Sequence, residues 1–172
     1  MVAVARPFRL RSWLGASVVL FLLYGLVNVL AATFVPLSLH FRGAGAIGAL
    51  VLSPQADEAF LARSLEALGR SDPRLGSYLV LFMDTMCAQM MAFAIFQLAV
   101  VWFALRRGQR WALWATVTAD LAIVPYNVAI FATYASAGVP LTIDAVGFTV
   151  FLAALVLAPA FLGWLALRRA PA

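Results

Sequence analysis

The sequence contains no lysine, one histidine and one cysteine, and only 11% of its 172 residues are charged. A soluble domain of this size would carry about a quarter charged residues. Because Cys87 is the single cysteine, an internal disulfide is excluded. Because His40 is the single histidine, haem ligation by paired histidines is excluded as well. A zinc site built from histidines is disfavoured for the same reason. Hydrophobic residues make up 65% of the chain, which indicates a protein that lies in an apolar environment.

Four long apolar runs divide the chain, and each is long enough to cross a membrane. They cover residues 13–35, 75–105, 111–135 and 145–167. Because a spanning helix needs ~20 apolar residues, the sequence predicts an all-α fold. This fold is a four-transmembrane-helix bundle that forms a single integral membrane domain over residues 1–172. The second run is about 31 residues long, so it must tilt or project beyond the bilayer.

Arginines mark alternate ends of these runs. The segments before the first run, between the second and third, and after the fourth contain no acid and eight arginines: Arg6, Arg9, Arg11, Arg106, Arg107, Arg110, Arg168 and Arg169. This repeats the positive-inside pattern three times and predicts that both termini are cytoplasmic. The net charge of +5 follows from this orientation and from anionic lipid, so it does not indicate a nucleic-acid partner.

The first run is longer than the ~7–15 apolar residues of a signal peptide, and it is predicted to be a retained anchor. All five tryptophans lie beside the arginine segments, as an interfacial aromatic belt would. This placement supports the same topology independently of charge.

The segment 36–74 is predicted to be a loop on the outer side, with four acids balanced by four arginines. In its second half, Ser53 and Pro54 have the residue types of an N-cap and a first helical position. Gly69 can end that helix. Three leucines in between fall at helical spacing: Leu61, Leu65 and Leu68. The loop is therefore predicted to contain a short amphipathic helix over the outer mouth of the bundle.

Two further patterns have simpler explanations than the sites they resemble. Residues 43–48 match GxGxxG, but no strand precedes them, so an apolar turn is predicted rather than a nucleotide site. Four methionines surround Cys87 and could act as soft copper ligands, although packing or pocket lining is the favoured interpretation. These are Met83, Met86, Met90 and Met91. No metal site and no cofactor are assigned.

Polar side chains inside the apolar runs are the main signal for function. Such groups are costly in a bilayer, and they usually face the bundle interior or a wet cavity. The ligand-binding candidates are Asn28, Asp84, Thr116, Asp120, Asn127, Tyr134 and Asp144. The four from the third run share one helical face. The alternative is that these side chains only form hydrogen bonds between helices.

The favoured function is a pocket between the helices for a lipophilic small molecule, with a polar floor made by Asp84, Asp120 and Asn127. One alternative is an accessory or assembly subunit of a larger membrane complex. Proton-coupled transport and carboxylate-based isomerisation in the membrane are less favoured alternatives, so an enzymatic role stays open and no catalytic residue is assigned. Membrane lipid is the constant partner. Pairs of small residues also permit a homo-oligomer: Ala88 and Ala92, Ala115 and Ala119, and Ala154 and Ala158.

The layout is one spanning helix, a long outer loop, and three helices joined by short connections. It resembles the small four-helix membrane families of the DoxX-like and EXPERA-like kind. The turn at residues 107–112 is similar to turns common in small bacterial membrane proteins, which implies a bacterial inner membrane. EXPERA-like proteins bind sterol-like ligands between their helices, using acids on the first two. The resemblance implies that Asp84 corresponds to the second-helix acid, while Asn28 stands where the first-helix acid would be.

Overall fold

The computed structural model describes residues 9–43, 49–140 and 143–168, and within these ranges every regular element is helical. Four helical segments are long and apolar enough to cross a membrane: Trp13–Arg42, Pro73–Arg107, Arg110–Ser136 and Thr149–Arg168. The predicted number of helices able to span a membrane is therefore confirmed, and the helices extend beyond the apolar runs. The glycine-rich residues 44–48 lie outside the described ranges.

Helix α1 covers Trp13–Arg42 and is longer than predicted. Pro36 was expected to begin the loop, yet the helix continues past it for more than one turn. Gly43, at a φ of 74°, follows the last helical residue. Its backbone N–H donates to the Leu39 carbonyl at 2.7 Å, which closes the helix because glycine adopts a positive φ without steric cost.

The loop segment forms two helices, α2 over Pro54–Leu61 and α3 over Leu65–Ser71. The prediction of one helix is therefore wrong. Ser53 caps α2, as predicted, by accepting a hydrogen bond from the Ala56 N–H. Ala62 then takes a left-handed conformation with a φ of 54°, which ends α2 and allows Ser64 to cap α3.

Helix α4 covers Pro73–Phe103 and is 31 residues long. Asp72 caps its start, because the Asp72 carboxylate accepts hydrogen bonds from the Arg74 and Leu75 N–H groups. Its end leads into a short 3₁₀ turn at Leu105–Arg107. Gly108 has a φ of 78°, a left-handed conformation that reverses the chain into the next helix.

The third predicted span consists of two helices, α5 over Arg110–Leu121 and α6 over Val124–Ser136. The break lies just before Pro125, which has no N–H to continue the helical ladder and whose ring would clash with the Leu121 carbonyl. The break places Pro125 in the first turn of α6, where its missing N–H costs nothing. Helix α7 covers Ile143–Arg168 and contains Pro159 without a comparable break.

The chain divides into two compact units. The first unit comprises Met1–Asn28, Phe93–Ile123 and Phe151–Ala172, and the second comprises Val29–Ala92 and Val124–Val150. The core of the first unit contains Phe21 from α1, Leu105 from the hairpin turn and Leu113 from α5.

The second unit has two apolar clusters. In one, Leu39 of α1 and Leu65 of α3 are buried, and Met83 of α4 packs against them. In the other, Ala56 of α2 packs with Tyr134 of α6.

Candidate functional site

Each of the two units contains one contact between polar side chains of the long apolar helices. In the first unit, Gln97 of α4 lies against Asp120 of α5. In the second unit, His40 of α1 lies against Asp84 of α4. The two pairs differ in burial, and this difference decides which of them a ligand could reach.

The Gln97–Asp120 pair is a buried contact between helices. The Gln97 Nε2 group donates to both carboxylate oxygens of Asp120, at 3.3 and 3.1 Å. The two residues are only 3% and 7% exposed. Thr116, one turn before Asp120, is also buried, and its hydroxyl oxygen has no hydrogen-bond partner among the described residues. This arrangement is typical of side chains that join helices inside an apolar bundle.

The space beside this pair is too small for a ligand. A cleft of about 20 Å³ lies between α4 and α5 and is lined by Gln97, Thr116 and apolar neighbours such as Phe93. That volume corresponds to roughly one water molecule, whereas small-molecule pockets measure roughly 300–1,000 Å³. Asp120 is not among the residues that line the cleft.

Gln97 did not enter the sequence prediction, although one signal could have identified it. Gln97 and Asp120 lie eleven and twelve residues from Gly108 along the chain. In two antiparallel helices joined by a tight turn, residues equally far from the turn lie at the same depth. The hairpin register therefore pairs the one glutamine with the one aspartate at that depth.

The His40–Asp84 pair is partly accessible. The imidazole Nε2 lies 2.9 Å from Asp84 Oδ2, and the two side chains are 60% and 29% exposed. The second carboxylate oxygen, Oδ1, has no hydrogen-bond partner among the described residues. An imidazole beside a carboxylate can donate or accept a hydrogen bond and can transfer a proton.

Apolar residues precede both members of this pair along the chain. Leu39 precedes His40 and is buried, while Met83 precedes Asp84 and packs into the same cluster. Cys87 lies about one turn after Asp84 and is buried, whereas Met86 is exposed. A polar pair with an exposed imidazole beside apolar side chains suits a ligand that has one polar group on an apolar body.

The remaining sequence candidates are distributed between the two units. Asn28 uses its amide on its own helix, because Nδ2 donates to the Tyr24 carbonyl at 3.0 Å. Asn127 is half-buried in α6. Asp144 belongs to α7, but its side chain is outside the part of the chain that the structure describes. Thr116 and Asp120 belong to α5 in the first unit, and Asn127 and Tyr134 belong to α6 in the second.

Tyr134 has a partner that the sequence did not reveal. Its hydroxyl donates to Asp57 Oδ1 at 2.7 Å, and its ring stacks on Phe60 with 4.7 Å between centroids. Asp57 also accepts three backbone N–H groups, from Leu50, Val51 and Leu52. It is 1% exposed. The Asp57–Tyr134 contact therefore attaches the segment around α2 to α6, and it is a structural contact rather than a ligand site.

Comparison with known proteins gives no guide to this site. No family model, curated protein or solved structure matches the chain. Among the polar groups of the spanning helices, the His40–Asp84 pair combines ionisable chemistry, partial exposure and apolar neighbours along the chain.

Proposed function

We propose that this protein lies in a bacterial inner membrane with both termini in the cytoplasm and binds a lipophilic small molecule beside His40 and Asp84. Four helices long and apolar enough to cross a membrane support the multi-pass arrangement. The three acid-free arginine segments support the orientation. The observation that carries the ligand proposal is the partly exposed His40–Asp84 pair within those helices.

In this proposal His40 and Asp84 bind the one polar group of the ligand. The exposed imidazole faces an incoming molecule, and the carboxylate orients the imidazole through the 2.9 Å contact. A ligand hydroxyl or carbonyl would bind the ring, because in a medium of low dielectric an unpaired polar group is costly. The apolar body of the ligand would lie in the bilayer against α1 and α4.

Asp120 has a different role in the proposal. Its carboxylate is held by Gln97 in a buried contact, and the nearby cleft of about 20 Å³ has no room for a ligand. We therefore assign Asp120 and Gln97 to helix association. Asn127 is half-buried in the same unit as Asp84, and it is kept as a second candidate for contact with the ligand.

The resemblance to EXPERA-like proteins supports the same position. In that layout, acids on the first two helices contact a sterol-like ligand, and Asp84 corresponds to the second-helix acid. Asn28, which stands where the first-helix acid would be, donates its amide to its own helix. We therefore propose that His40, which also belongs to the first helix, supplies the polar group instead. The proposed ligand belongs to one class, that of apolar molecules with one hydrogen-bonding group.

The test compares apolar compounds that co-purify with wild-type protein, Asp84→Asn and Asp120→Asn in mild detergent, quantified by mass spectrometry. Asp120→Asn is the matched control, because it makes the same change in a spanning helix of the same chain. Loss of a charge-assisted hydrogen bond costs about 1.5–3 kcal/mol, so Asp84→Asn should lower retention of the enriched compound about tenfold or more. Asp120→Asn should retain it.

Three results would contradict the proposal. The wild-type extract could contain only bulk lipids in the proportions of the source membrane. The two variants could retain the compound equally. The loss could also occur in Asp120→Asn alone, which would place the ligand at the buried pair.

A further inference from the structure

A continuous groove runs between α5 and α7 in the first unit. One part, of about 530 Å³, is lined by Arg110, Leu113, Trp114, Trp164, Leu167 and Arg168. A second part, of about 360 Å³, shares Leu113, Trp114 and Trp164 and continues along apolar residues that include Val117, Leu157 and Phe161. Because the two parts share three residues, they form one surface, here called the α5–α7 groove.

The groove is cationic at one end only. Arg110 Nη2 donates to the Leu167 carbonyl at 3.0 Å, which joins the start of α5 to the end of α7. The Arg168 guanidinium lies over the Trp164 ring, 5.1 Å from its centroid. Across the described ranges, no carboxylate forms an ion pair with either arginine. The two guanidinium groups are thus held in place with N–H groups left for an anion.

Tryptophans occupy the middle of the groove. Trp114 and Trp164 line both parts and therefore lie where the cationic end meets the apolar end. In membrane proteins, tryptophan is concentrated at the depth of the lipid headgroups. The apolar part beyond them is then at the depth of the acyl chains.

We infer that the α5–α7 groove binds one anionic phospholipid. The phosphate would lie between Arg110 and Arg168, and one acyl chain would follow the apolar part past Val117 and Phe161. Basic pockets between spanning helices bind anionic headgroups in this way. A zwitterionic lipid would bring its own cation to the two arginines, and a second copy of the chain would bring the same arginines. The charge of the groove therefore favours an anionic lipid over both.

The experiment measures lipid binding to the purified full chain by native mass spectrometry. The probes are phosphatidylglycerol and phosphatidylcholine with identical acyl chains. The wild-type protein should bind phosphatidylglycerol about tenfold more tightly, because the choline cation of phosphatidylcholine would lie close to the two arginines and repel them. Arg110→Gln and Arg168→Gln should each remove most of this preference, because each weakens phosphatidylglycerol binding more than phosphatidylcholine binding.

Arg63→Gln is the matched control, because it removes an exposed arginine outside the groove and should have no effect. Arg168→Gln keeps the Arg110–Leu167 contact, so it tests the inference even if Arg110→Gln weakens folding. Equal wild-type affinity for the two lipids would overturn the inference. So would an equal loss in Arg63→Gln and Arg168→Gln. Displacement of the lipid by millimolar inorganic phosphate would also overturn it, since that would show a site for the free anion.

Discussion

At the scale of single residues, Asp57 has surroundings in the structure that its position in the sequence did not indicate. It lies in the predicted outer loop, where it is one of four acids balanced by four arginines. In the structure it accepts three backbone N–H groups and the Tyr134 hydroxyl while almost fully buried. Four donors compensate for the desolvation of the carboxylate.

Replacing Asp57 should therefore be far more destabilising than replacing a neighbouring acid. Asp57→Ala leaves four donors without their acceptor, and each buried donor left unsatisfied costs about 1–3 kcal/mol. Tyr134→Phe should cost only about 1.5–3 kcal/mol, because it removes one hydrogen bond to a charged group. Thermal unfolding in detergent measures both. Exposed Glu58 gives the control Glu58→Ala, and equal stability of Asp57→Ala and that control would contradict this account.

At the scale of helices, the sequence predicted the number of spans but not how each proline affects the helix that contains it. The number of spans follows from the length of the apolar runs and was predicted. The positions at which helices end depend on whether packing holds a proline inside a helix. Pro36 and Pro159 lie within continuous helices, whereas Pro125 lies just after a break. The residue types around each proline do not distinguish these outcomes.

The two short helices α2 and α3 show a second difficulty, since one predicted helix is two helices in the structure. Ser53 was predicted as a cap because a proline at the first helical position follows it, and the structure has that cap. Ser64 was missed, because the leucine spacing favoured one uninterrupted helix. In the structure, Leu61 and Leu65 pack against the same cluster although they belong to different helices. A helical repeat of apolar residues therefore does not show that the helix is continuous.

Close packing of α7 makes a second prediction about helices. A methyl group added at Gly163 would lie 2.7 Å from Ser17 Oγ and 2.8 Å from Leu113 Cδ1. Gly163→Ala should therefore destabilise the protein by about 1–3 kcal/mol through overpacking.

Gly147→Ala is the control in the same helix, where the added methyl has no described atom within 4 Å. It should be neutral or stabilising by up to about 1 kcal/mol, because alanine favours helices. Thermal unfolding in detergent compares the two variants. A stabilised Gly163→Ala protein would contradict the close approach of these helices.

At the scale of the whole molecule, the charge pattern makes a prediction about orientation. Single cysteines at exposed positions, Ser71→Cys and Gln109→Cys, are introduced with native Cys87 replaced by serine. A membrane-impermeant maleimide applied to intact cells with a permeabilised outer envelope should label Ser71→Cys. It should label Gln109→Cys only after the inner membrane is disrupted, because the arginine turn is expected to be cytoplasmic. The opposite labelling pattern would show that the topology is the reverse of the predicted one.

The candidate site was predictable only in part, for a reason of chain geometry. The Gln97–Asp120 contact joins two helices linked by a tight turn, so their register could have been counted from Gly108. His40 and Asp84 are separated by a long segment containing α2 and α3. No turn fixes their relative depth, and their 2.9 Å contact depends on how that whole segment packs. The sequence identified Asp84 as a candidate but gave no sign of its partner.

The central claim is that His40 and Asp84 bind the ligand together. The most direct measurement is a double-mutant cycle on retention of the co-purifying apolar compound, with His40→Gln, Asp84→Asn and the double variant. Each single change should lower retention about tenfold or more, and the double variant should lose little beyond either one, because the two groups act through one contact. Unchanged retention in both single variants, or losses that multiply as for independent sites, would contradict the account.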